Sequence, residues 1–130
     1  MLLDTTFLVD ILREEPSAVA LLRNTKTTEF STSELNVFEL LYGAHCEAEH
    51  PEKRIGGILT LLSTINVLPL DRAGTMMGAI IAGTLHKKGK TIDSADCLIA
   101  GIAQSRGITT IITRNTKHFE RVPGINVISY

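Results

Sequence analysis

Cysteine is scarce in this 130-residue chain, with Cys46 and Cys97 the only two, and each falls within an apolar helical pattern. Two small buried thiols are expected rather than a bridge. The four histidines, His45, His50, His86 and His118, combine with those cysteines into no CxxC or HExxH spacing, so no zinc site is expected. Charge of one sign is missing too: 13 Lys and Arg face 14 Asp and Glu. Composition therefore gives no hint of nucleic acid, and any surface that binds it has to be local. No apolar run approaches the roughly 18 residues of a membrane span. The opening Met-Leu-Leu-Asp has no basic segment before it meets an acid. No signal peptide is expected, and a cytoplasmic location is. There is no internal repeat, low-complexity segment or linker.

What remains is 44% hydrophobic and 21% charged, the balance of a globular protein, with residues 1–130 expected as one domain. A short buried strand is expected over residues 1–4, then helices over 5–13 and 16–26, the second with Pro16 in its first turn. A weak strand over 28–31 precedes Ser31-Thr32-Ser33-Glu34, which matches a capping box opening a helix through Ala44. That helix is apolar almost all round, so it is expected to be buried. Further on, the patterns indicate a helix over 51–64, a strand over 66–70 and a helix over 72–88 capped by Asp71. Another helix opens within Ile92-Asp-Ser-Ala-Asp-Cys-Leu-Ile-Ala-Gly101 and ends by Gly107. A β-branched strand over 109–113, a helical turn carrying Lys117, His118 and Arg121, and an edge strand over 126–129 complete the chain. Strands alternating with helices predict a parallel sheet with helices on both faces.

Several acids stand in unusual places. At about 100° per residue Asp96 lies within about 60° of Ile99, Ala100 and Ala103, so it points to the core or its edge. An ionised carboxylate there requires a cation, several donors or a metal. Asp93 falls about 60° from Asp96 and reads equally as a helix N-cap. Asp4 ends the first strand, where open α/β sheets place their ligands, although it could also cap the next helix. Glu39 interrupts the apolar helix on a narrow stripe with Asn36 and Gly43, unless it escapes to solvent at the helix edge. Gly43 weakens the helix, and close approach by something beside Glu39 would account for it. Asp10, spaced for Arg13, reads as a solvated helix charge.

Asp4, Glu39 and Asp96 come from three separate segments. Two carboxylates about 4 Å apart repel by about 4 kcal/mol at an effective dielectric of 20, which a shared proton or a divalent cation relieves. Oxygen ligands without His or Cys favour Mg²⁺ or Mn²⁺, and Mg²⁺ commonly takes substrate phosphate as a further ligand. That combination points to phosphodiester hydrolysis.

Four pieces carry a resemblance over essentially the whole chain: Leu2-Leu3-Asp4-Thr5-Thr6, Glu39-Leu40-Leu41-Tyr42-Gly43-Ala44, Ala95-Asp96-Cys97-Leu98-Ile99-Ala100, and Ile112-Thr113-Arg114-Asn115 with Phe119 after it. Their order and spacing resemble the PIN-domain family, most closely its VapC-type toxin ribonucleases. The resemblance implies a three-layer α/β/α sandwich around a parallel sheet of four or five strands. It implies a Mg²⁺-dependent (or Mn²⁺-dependent) endoribonuclease acting on RNA, a homodimer, and a cognate antitoxin protein as partner. By motif match Asp4, Glu39 and Asp96 fall on the family's three principal acids, and Asp93 lies one turn before the third. Many members carry a fourth acid where this chain has Asn115 and His118, so a second metal ion is placed in doubt.

On this reading Asp4 and Asp96 ligate the metal, and Glu39 ligates it or holds the attacking water. Thr113 and Asn115 lie beside them, while Arg114, Lys117 and the basic Lys87, Lys88 and Lys90 contact the RNA backbone. The basic run is equally explained as cations at a helix C-terminus. Two other readings stand beside it: a PIN-like scaffold that binds RNA or a protein partner without cutting, and a phosphoryl receiver with Asp71 as acceptor. The receiver needs paired acids after the first strand, where this chain has Asp4-Thr5-Thr6.

Overall fold

The structure is a computed structural model that describes residues 1–26, 29–47 and 49–130. Five short strands form one parallel sheet: β1 (Leu2–Leu3), β2 (Ser31–Ser33), β3 (Asn66–Leu68), β4 (Thr110–Ile112) and β5 (Asn126–Ile128). Their spatial order is β3-β2-β1-β4-β5, and all four pairings are parallel. Among the described residues seven helices connect them: α1 (Thr5–Leu12), α2 (Pro16–Asn24), α3 (Glu34–Glu47), α4 (Glu52–Leu62), α5 (Arg72–Lys87), α6 (Ser94–Ser105) and the single turn α7 (Thr116–Phe119).

The three layers follow from the two-residue period of the central strands. Leu2 and Ile111 point to one face, into a core with Leu85, Ile99, Ala100, Ala103 and Phe119. Leu3 and Ile112 point to the other, into a core with Phe7, Leu8, Ala18, Leu40 and Ile58. Helices α5 and α6 therefore cover the first face, and α1 to α4 the second. Because β1 sits between β2 and β4, the order reverses there, and the crevice outside the carboxyl ends of β1 and β4 is the natural ligand position.

Five local expectations change. The second strand runs over Ser31–Ser33, not residues 28–31, and Thr28 lies outside the described residues. Thr32 and Ser33 can be buried there because their hydroxyls find partners, Thr32 Oγ1 donating to the Leu3 carbonyl at 2.9 Å and Ser33 Oγ to Asn36 Oδ1. Helix α3 is then opened by Ser33, whose backbone N–H and hydroxyl both donate to Asn36 Oδ1, at 3.2 and 2.6 Å. Reciprocal capping is present, but two residues later than the Ser31/Glu34 box. Helix α3 is also not buried all round, since Phe38 and Tyr42 are 64% and 62% exposed, with stacked rings 5.9 Å apart. Cys46, on the same helix, is exposed, and Cys97 is buried; both are free thiols. Finally, a Cβ on Gly43 would meet nothing within 4 Å, so no close approach explains that glycine.

Close approach operates elsewhere, where α5 lies directly on α6. A Cβ on Gly101 would come within 2.4 Å of the Gly78 nitrogen and 2.6 Å of the Gly74 carbonyl oxygen, backbone atoms that cannot swing aside. This contact seats α6, and Asp96 with it. No helix among the described residues is long and apolar enough to cross a membrane.

Gly101→Ala is therefore expected to force the two helices apart and destabilise the protein by about 2 kcal/mol or more. A thermal melt should show a Tm lower by roughly 5–10 °C; an unchanged melt would mean that the helices are not held at this distance.

Candidate active site

Asp4 sits at the carboxyl end of β1, 4% exposed. It occupies the N-cap position of α1, but its side chain makes no capping bond. Its Oδ2 accepts from the hydroxyls of Thr6 at 3.0 Å and Thr113 at 2.6 Å, and its Oδ1 accepts from Asn36 Nδ2 at 3.1 Å. Hydrogen bonds to a charged group contribute about 1.5–3 kcal/mol each, enough here to hold an otherwise costly buried carboxylate. The donors come from α1, from the residue following β4 and from the first turn of α3.

Glu39 is half-buried one turn beyond Asn36, and Thr5 Oγ1 donates to its Oε2. Thr5 in turn accepts from Asn36 Nδ2 at 3.0 Å, so one amide serves both acids. Asp96 lies in the first turn of α6, its side chain 13% exposed. Its Oδ2 meets His118 Nδ1 at 2.5 Å and Asn115 Nδ2 at 3.0 Å. Asn115 is tied back to the first acid, because its backbone N–H donates to Thr113 Oγ1 at 2.8 Å. Asp4, Glu39 and Asp96 thus belong to one continuous hydrogen-bonded network. Asp93 is exposed and caps α6, accepting from the Ala95 N–H at 2.8 Å.

The charges oppose one another. Burial, above all, raises the Glu39 carboxyl above its ordinary range; the Thr5 hydroxyl offsets part of that, and Asp4, Asp96 and Asp93 raise it further. Burial likewise raises Asp96, the His118 hydrogen bond lowers it, and Asp4 and Asp93 add to the rise. Such clustering is costly to stability and typical of functional sites. The donor set contains carboxylate oxygens with amide and hydroxyl groups around them and no thiol, the chemistry of a hard divalent cation. Among the described residues, no three His, Cys, Asp or Glu side chains stand around a common point as a closed ligand cage. Each acid is engaged by protein donors, and the set fits a divalent ion by the hardness of its oxygens and their summed charge.

The expected RNA-contacting residues divide. Lys117 is exposed on α7. Arg114, half-exposed, pairs its Nε with Asp10 at 2.8 Å and lies 5.2 Å from the centre of the Tyr130 ring. Asp10 also accepts from the Tyr130 hydroxyl at 2.7 Å, so it is an anchor and not the solvated charge its spacing with Arg13 suggested. Lys87 ends α5 and Lys88 caps it, consistent with the dipole explanation. Asp71 caps α5 through the Gly74 N–H and pairs with Arg106 at 2.9 Å; the backbone donor, first, and Arg106 lower its pKa. It is a structural cap remote in role from a phosphoryl acceptor.

Two features escaped sequence reasoning. Asn36 was visible on the Glu39 stripe, yet nothing local marked it as the amide joining two acids. Beside Glu39 a cleft of about 450 Å³ opens between α1, α3 and α4, with Gly43 in its wall and Arg13, His50, Lys53 and Arg54 around it. These basic residues are scattered over two segments and become neighbours only on folding.

Residues 1–125 match the family model described as the PIN domain. The chain is similar to a tRNA(fMet)-specific endonuclease VapC of Shigella flexneri, 33% identical over 95% of this chain and 92% of that protein. It is 31% identical to Ribonuclease VapC2 of Haemophilus influenzae over 93% of this chain and 90% of that one. Among solved structures, DNA-bound VapBC from Salmonella typhimurium superposes with a TM-score of 0.87 at 30% identity, covering 98% of this chain and 96% of the other.

The opposed charges set a pH dependence. The folded-state pKa of Glu39 lies above its unfolded value of 4.5, so the native state holds this proton more tightly. Its contribution to stability is therefore fully present below that unfolded value and is lost as pH rises through the raised one. Glu39→Gln is expected to melt above wild type at pH 7 in EDTA, with the gap closing as pH falls through the raised pKa and absent below 4.5. Melts that coincide at pH 7 would contradict the raised pKa.

Proposed function

This chain belongs to the PIN-domain family, with VapC ribonucleases among its relatives, and from that premise we propose that it is a Mg²⁺- or Mn²⁺-dependent endoribonuclease, the toxin of a VapBC-type toxin–antitoxin pair. The observation that carries this is the convergence of Asp4, Glu39 and Asp96, from a strand end and two helices, on one network at the point where the strand order reverses.

Asp4, Glu39 and Asp96 would hold the ion, which would supply activation of a water and charge neutralisation at the phosphoryl group. The protein's own part is orientation. Asn36, Thr6 and Thr113 fix the Asp4 carboxylate in place, and Thr5 does the same for Glu39. Glu39, tethered through Thr5, would either ligate the ion or hold the attacking water and take its proton. Thr113 and Asn115 complete the mouth of the site. Arg114, Lys117 and the cations around the adjoining cleft offset the acids' repulsion of an RNA backbone, so binding weakens as salt rises. An antitoxin partner accompanies this reading, DNA-bound VapBC from Salmonella typhimurium being among the structures the chain resembles, and with it a homodimer and a cytoplasmic site of action.

A PIN-like scaffold that binds RNA or a protein without cutting is the second reading, favoured by the open arrangement of the acids. Cleavage of a mixed RNA pool separates the two. Wild-type protein is expected to cut with Mg²⁺ or Mn²⁺ and not with EDTA, and Asp96→Asn, folded as wild type by circular dichroism, should fall to background. Equal cleavage by the two proteins would remove Asp96 from the chemistry, and a wild-type protein that binds RNA without ever cutting it would favour the scaffold.

A further inference from the structure

We propose that His118 is a positioning residue: its Nδ1–H, together with the Asn115 amide, fixes the orientation of the Asp96 carboxylate towards a divalent ion. The inference rests on Asp96 being a metal ligand. Both donors converge on the same oxygen, Oδ2, at 2.5 and 3.0 Å. Among the described residues Oδ1 accepts no protein hydrogen bond, so one oxygen is tethered and the other is left for a cation. Against an ionised Asp96 the His118 Nδ1 is the donor of the pair, and the same nitrogen lies 3.1 Å from Asn115 Nδ2, so the three groups form one cluster.

The tether is rigid at its far end. His118 belongs to the single turn α7, whose Phe119 is fully buried in the core with Ile99, Ala100 and Ile111. Asn115 precedes that turn, and its N–H is tied through Thr113 to Asp4. The ring therefore reports the position of the sheet to a side chain on α6. Groups that hold a ligating carboxylate in this way alter metal affinity although they never touch the ion.

Three variants, His118→Asn, His118→Gln and His118→Ala, distinguish this role from the others open to an imidazole. An Asn amide nitrogen falls near the position of Nδ1, whereas a Gln amide reaches towards Nε2. Mn²⁺ binding by calorimetry, with circular dichroism as the folding control, is expected to leave His118→Asn close to wild type. His118→Gln and His118→Ala should bind about tenfold more weakly or worse, with RNA cleavage falling in the same order. Affinity kept by Gln and lost by Asn would overturn the proposal in favour of a role for Nε2. Unchanged affinity in all three would overturn it outright. A wild-type protein that takes up no Mn²⁺ would bring down the metal reading, and this inference with it.

Discussion

The buried Asp4 carboxylate is the constraint around which the candidate site is built. A charge at a strand end, almost without solvent, is tolerable only if donors surround it, and the donors must come from elsewhere in the chain. Asn36 reaches it from α3, Thr6 from α1 and Thr113 from beyond β4. The Asp4 backbone N–H, bonded to the Ile112 carbonyl at 3.1 Å, binds the same two strand ends together. The carboxylate is thus both part of the site and the tie that draws its parts to one place.

From that tie the network spreads in two directions. Towards α3, one Asn36 amide serves Asp4 and Thr5, and Thr5 serves Glu39. Towards α6, Thr113 receives the Asn115 N–H, and Asn115 and His118 hold Asp96. Amide, hydroxyl and imidazole groups orient three acids. Burial and mutual repulsion remain as raised carboxyl pKa values, a stability cost concentrated where an ion would relieve it.

The helices supply rigidity. Gly78 and Gly101 allow α5 and α6 to touch by backbone, which leaves α6 little freedom to move Asp96. On the other face, Asp10 and Tyr130 hold Arg114 immediately after Thr113, and the Phe7 ring packs edge-on to Tyr130 at 5.0 Å. The segment between β4 and α7 is in this way restrained on both sides.

Much of this was legible in the chain itself. Alternating strand and helix patterns predicted the parallel α/β sheet, and the odd placement of Asp4, Glu39 and Asp96 among apolar residues singled out the acids that the fold gathers into one network. Helix caps at Asp71 and Asp93 were also readable, because capping acts within three residues. The errors share a cause: they concern partners distant in sequence. Thr32 read as part of a helix opening until the Leu3 carbonyl, 29 residues away, accepts its hydroxyl inside the sheet. Phe38 and Tyr42 read as core because periodicity reports which residues share a face, not whether another element covers it. Asp10 read as a helix charge until Arg114 and Tyr130, more than a hundred residues away, met it. Local patterning thus determined the elements and the acids. Only tertiary structure decided which hydrogen bonds hold those acids, because a donor's partner depends on where the sheet order brings the chain back.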